Sequence, residues 1–117
     1  MDFSYPDTHI EIKKLAGDIL AEMATVDHLK AQEKNGPYLD AGIWQQLIAS
    51  GIHTAAFPES LDGMGMDYMA SALVAECLGQ AVASIPYIPC IISAALPLLA
   101  HKSNPIVEKL LRAVGAG

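Results

Sequence analysis

Charge is missing where the chain is most apolar: from Cys77 to His101 no side chain is formally charged. A stretch of that length can cross a bilayer. Pro86, Pro89 and Pro97 interrupt it with residues that lack a backbone donor, and only Lys102 follows it where a basic cluster would set an orientation. The expectation is a buried central helix and no membrane span; a small membrane protein built on residues 77–101 is the reading this displaces. Cysteine is scarce too. Cys77 and Cys90 are the only two, without metal-ligand spacing, which excludes a disulfide framework and a zinc site and suggests buried thiols in a reducing, cytoplasmic setting. Basic residues number 7 against 13 acidic ones, for a formal charge of −6, so no positive field gathers phosphates and nucleic acid is excluded as a partner.

Other absences narrow the chemistry. The opening MDFSYPDTHIEIKK has no basic region followed by an apolar run, so it is not a secretory signal. His9, His28, His53 and His101 have no short-range ligand spacing, and neither a Ser-His-Asp nor a P-loop pattern occurs. No segment alternates strand formers with period two, and there is no internal repeat or low-complexity tract.

What is present is helical. Ile12, Leu15, Ala16, Ile19, Leu20 and Met23 share one helical face, with Asp7 or Thr8 as the expected cap and Lys13, Lys14, Asp18 and Glu22 on the solvated side. Asn35-Gly36-Pro37 marks a turn, with room for a short helix before it. Asp40 is the expected cap of a helix over 40–50 with Ile43, Trp44, Leu47 and Ile48 inward and Gly51 closing it. Asp67 is expected to cap the next, with Met69, Leu73, Cys77 and Leu78 inward; Ser84 and Asn104 read as two further caps, Pro105 opening the last helix. The fold class is all-α, an irregular bundle of about five to six helices in one domain. With 52% hydrophobic and 17% charged residues, the chain has more apolar surface than a lone domain of 117 residues needs. It is expected to pack against further domains or a second copy, and the ending AVGAG, directly after a helix, suggests a domain of something longer.

Between the second and third clear helices stands FPESLDGMGMD, residues 57–67. Pro58 extends Phe57, Gly63 and Gly65 allow left-handed or closely packed backbone, and Asp67 starts the next helix, so this is a corner with a defined path. The order Gly51-Ile52, Pro58-Glu59, Asp62-Gly63-Met64-Gly65 and Glu76-Cys77-Leu78-Gly79, after a Met-Asp-Phe opening, resembles the N-terminal helical domain of acyl-CoA dehydrogenases. One departure is Asp62 in place of the first glycine of the usual pair, a residue type that tolerates left-handed backbone.

The resemblance implies an FAD-dependent enzyme that desaturates acyl-CoA thioesters, in which a carboxylate takes the α-proton and the β-hydride passes to flavin. It also implies that this chain covers the first third of a family member and lacks the central β-domain and the C-terminal helical domain. Those parts supply most flavin contacts and the base, so no catalytic and no cofactor-binding residue is assigned here and the 117-residue chain alone is expected to be inactive. Glu76 is expected to make a buried structural hydrogen bond. The contribution left to the domain is shape: on gapless placement the family's acyl-pocket helix is SIPYIPCIISAALP, and Ile85, Pro89, Cys90 and Ser93, at i, i+4, i+5 and i+8, are the candidate substrate-binding residues. Small residues there suggest room for branched or steroid side-chain acyl groups. Implied partners are acyl-CoA, an electron-transferring flavoprotein and identical or different subunits. The competing reading is a free-standing helical structural or partner subunit without flavin.

Overall fold

The computed structural model describes residue 1 and residues 3–117; Asp2 of the Met-Asp-Phe opening lies outside the described residues. Six helices and no strand occur among them: α1 (Asp7–Met23), α2 (Val26–Asn35), α3 (Ala41–Ser50), α4 (Tyr68–Gln80), a composite α5 over 88–101, and α6 (Pro105–Ala116). No helix among the described residues is long and apolar enough to cross a membrane, because α4 ends at Gln80 and a non-helical stretch separates it from α5.

Three helix starts are built as their caps require. Asp40 accepts from the Ile43 N–H, Asp67 from Ala70 and Asn104 from Ile106, each satisfying a donor that has no partner within the helix. Gly51 ends α3 at φ +75°, where a side chain is strained. Two expected caps fail. Pro6, not Asp7 or Thr8, precedes α1, and no side chain caps it. Ser84 caps nothing: its hydroxyl donates to the Tyr38 carbonyl and its own carbonyl accepts from the Asp40 N–H, stitching two loops together. The end of α4 is closed by paired bonds, Ala83 N–H to Leu78 and Val82 N–H to Gly79, with Val82 at φ 54° where glycine is usual.

The molecule is a slab 44 × 41 × 20 Å, and its thin dimension is that of two helix layers. α1 lies along α4 and buries Ile12, Ala16 and Leu20 against Ala70, Val74, Cys77 and Leu78; Ile43 and Leu47 of α3 and Tyr87 and Ile91 complete this core. Leu15 and Met69, expected inward, are exposed at 41% and 45%. A second cluster of Phe57, Leu61, Ala95 and Leu111 joins the corner to α5 and α6.

The 57–67 corner uses its two glycines differently. Gly65 holds φ 66°. Gly63 does not have a positive φ; a Cβ there would lie 2.2 Å from the Phe57 carbonyl oxygen, so the side chain is excluded by close approach. The left-handed residue before it is Asp62, at φ 60°. Arg112 on α6 clamps the corner, donating to the Ser60 carbonyl at 3.1 Å and pairing with Asp62 at 3.5 Å.

Candidate functional site

The uncharged stretch folds into α5, which is not a plain α-helix. Residues Ile88–Ala95 follow the wider pattern in which each carbonyl is bonded five residues on, shown by the Leu96 N–H donating to Ile91, before one α turn (Leu96–Leu98) and a tighter 3-10 turn (Leu99–His101). Pro89 and Pro97, which cannot donate, sit near either end of the widened stretch and favour a departure from the α ladder. One side of α5 is locked down: Ile91 and Ala95, with Tyr87 just before Ile88, are at most 1% exposed. The other side stands open, with Ile88, Pro89, Cys90, Ser93, Ala94 and Pro97 exposed.

Pro89, Cys90 and Ser93 therefore share an open face, while Ile85 does not join them. It precedes the helix, in the stretch after α4, and is half-buried against the main core. The spacing that placed it with the others assumes a helix from Ser84, and the helix begins only at Tyr87. Cys77 is buried as expected, whereas Cys90 is exposed. Burial pushes the Cys77 thiol up, so it is the less reactive form there.

Behind the open face the packing is tight and partly polar. The hydroxyls of Tyr87 and Ser71 are both fully buried and neither is in hydrogen-bonding geometry with any group among the described residues; Ser71 is near enough to favour the Tyr87 phenolate, but burial outweighs it and pushes that phenol up. His53, on the turn after α3, donates from Nε2 to the Gly115 carbonyl at 3.0 Å and meets Trp44 edge-on. Its Nδ1 is buried without a partner among the described residues, and burial pulls its pKa below the usual value.

Several carboxylates are engaged in structure. Glu76 is exposed, not buried, and pairs with Lys13 at 2.9 Å across the α1–α4 interface. Glu108 accepts from Arg112 at 3.0 Å. Asp40 and Asp67 each take a histidine in addition to a helix N–H: His28 at 2.5 Å and His9 at 2.7 Å. Burial raises the Asp40 carboxyl, yet the bonds from His28 and Ile43 outweigh it and hold the group low. These histidines, unassigned by spacing, were beyond reach of sequence reasoning because their partners lie 12 and 58 residues away. No group of three or more metal-ligating side chains occurs among the described residues.

The sequence matches the family model for the acyl-CoA dehydrogenase N-terminal domain over residues 6–117. The chain belongs to that family. It is 30% identical over 109 residues to the acyl-CoA dehydrogenase FadE27 of Mycobacterium tuberculosis, covering 93% of this chain and 29% of that protein. Among solved structures it superposes on a chain of the ChsE4–ChsE5 complex from Mycobacterium tuberculosis with a TM-score of 0.82 at 26% identity, over 99% of this chain and 32% of that one. It superposes on a variant of the Tcur3481–Tcur3483 steroid ACAD with a TM-score of 0.85 at 30% identity, over 95% of this chain and 30% of that one. The chain thus spans about a third of the length of these acyl-CoA dehydrogenase relatives.

The FAD that the family implies does not fit the residues of this domain. A dinucleotide phosphate needs free backbone donors at a helix start or a glycine cradle. Here α2, α3, α4 and α6 are capped by Thr25, Asp40, Asp67 and Asn104, the uncapped start of α1 carries the acidic Asp7 in its first turn, which repels a phosphate, the space beside Gly63 is filled by the Phe57 backbone, and Gly65 faces the Glu59 side chain.

Proposed function

We propose that this acyl-CoA dehydrogenase domain forms one wall of the acyl-binding site in an enzyme that desaturates a bulky, fused-ring acyl-CoA thioester. The observation that carries the reading is the open side of α5, where Pro89, Cys90, Ser93 and Ala94 stand exposed and uncharged on a helix whose opposite side is fixed in the core. An uncharged face on a rigid element suits a ligand with no charge to pair, and small side chains leave volume for a wide one. The steroid ACAD among the structural relatives supports a fused-ring acyl group.

In this reading the domain binds and orients the acyl group and keeps water from it. The flavin and the catalytic base are assigned to polypeptide outside these residues, in a central β-domain and a C-terminal helical domain, since no carboxylate stands among the exposed residues of the α5 wall. The same relatives, one of them a complex of two components, support assembly with a second acyl-CoA dehydrogenase subunit, identical or different. Electrons leave to a flavoprotein acceptor, and the enzyme works in the cytoplasm.

The test is the full-length protein, purified with its flavin and offered a series of acyl-CoA thioesters. Acyl-CoA-dependent bleaching of the flavin, with higher kcat/KM for fused-ring than for short straight acyl groups, is expected. A flavin that no acyl-CoA bleaches would overturn the activity, and a preference for short chains would overturn the substrate class. The isolated 117-residue chain should purify colourless; stoichiometric flavin absorbance would overturn the assignment of the cofactor to other segments.

A further inference from the structure

We infer that Ser93 is a specificity-determining residue of this wall, and that the acyl group it meets carries an oxygen substituent, a hydroxyl or a ketone, away from the thioester. This rests on the acyl-wall reading above. From Ile85 to Ala100 only two side chains carry an oxygen or nitrogen, Tyr87 and Ser93. Tyr87 is sealed in the core, so Ser93 is the single such group on the open side.

Its hydroxyl has no partner among the described residues. Elsewhere in this protein hydroxyls near helix ends turn back onto their own backbone: Ser50 donates to the Leu47 carbonyl at 2.9 Å and Thr54 to Gly51 at 3.3 Å. Ser93 does not. On the open side it stands amid Pro89, Cys90, Ala94 and Pro97, none of whose side chains offers an oxygen or nitrogen to pair it.

In water the exposed Ser93 hydroxyl is satisfied by solvent. Once a ligand and further domains cover the wall, a wholly hydrocarbon acyl group would leave it buried and unpaired, which costs free energy. A ketone accepts from the Ser93 hydroxyl, and a hydroxyl on the ligand donates to it or accepts from it. If small size were the only requirement, alanine would serve, as it does at the exposed Ala94.

The full-length enzyme tests this with two variants and paired substrates, fused-ring acyl-CoA thioesters bearing a hydroxyl or ketone at successive ring positions and their deoxy parents. Ser93→Ala is expected to lower kcat/KM about tenfold or more for at least one oxygenated member while leaving its deoxy parent unchanged or improved. Equal effects on every pair, or none, would overturn the inference. Ser93→Trp separates it from the reading beneath it. If that variant impairs fused-ring substrates but Ser93→Ala discriminates no pair, the wall stands and the oxygen contact falls; if Ser93→Trp affects no substrate, both fall.

Discussion

The His9 Nε2–H donates to Asp67 Oδ1 at 2.7 Å, and the same carboxylate oxygen accepts the Ala70 N–H that opens α4. One side chain therefore caps a helix and fixes the start of another against it. The His9 bond holds the Asp67 carboxyl below its ordinary 3.8, outweighing burial. A lowered folded pKa means the unfolded chain takes up the proton first, so the contribution is complete above 3.8 and is lost as pH falls through the folded value. In urea titrations below about pH 4, the native chain should lose more stability than Asp67→Asn, which keeps a capping oxygen but cannot titrate. A double-mutant cycle of His9→Ala and Asp67→Ala should be non-additive; strict additivity would show that the pair contributes nothing.

His53 sets a second, higher pH window. It is 2% exposed, with Nε2 donating to Gly115 and Nδ1 unpartnered among the described residues, and burial lowers its pKa from 6.5. Again the unfolded chain binds the proton more readily, so stability is full above 6.5 and declines as pH drops from there through the folded pKa. Thermal midpoints should fall between pH 7 and pH 5, and the fall should flatten in His53→Gln. An unchanged slope would place the titration elsewhere.

Three glycines should respond to alanine with different signs. Gly63→Ala drives a Cβ to 2.2 Å from the Phe57 carbonyl and is expected to cost about 2 kcal/mol or more, because the obstacle is backbone. Gly65→Ala meets only the Glu59 side chain at 3.6 Å but must hold φ +66°, for about 1 kcal/mol. Gly79→Ala, inside α4 with nothing within 4 Å, should stabilise by about 0.5–1 kcal/mol. Chemical denaturation of the three variants checks the order, and a Gly63→Ala protein as stable as the parent would refute the close-approach account.

The sequence by itself determined what depends on neighbours within four residues. Asp40, Asp67 and Asn104 cap their helices because side chain and N–H are two or three positions apart, and Gly51 ends α3 because the left-handed turn needs nothing from elsewhere. The all-α class followed from the helical periodicity, and the family from motifs strung in order along the chain.

Tertiary structure decided what depends on residues distant in sequence. Glu76 is drawn to the surface by Lys13, 63 positions away, and Ser84 is diverted from capping by the Tyr38 carbonyl 46 positions back. Gly63 is fixed by the Phe57 backbone folding over it rather than by its own φ. The face of α5 was half legible: Pro89, Cys90 and Ser93 share a side because four-residue spacing survives the widened turn, whereas Ile85 falls off it because the Ser84 and Asp40 loops hold the chain out of helix until Tyr87. Local bonds are written in adjacent letters; which side of a helix stays open is set only when another part of the chain has covered the rest.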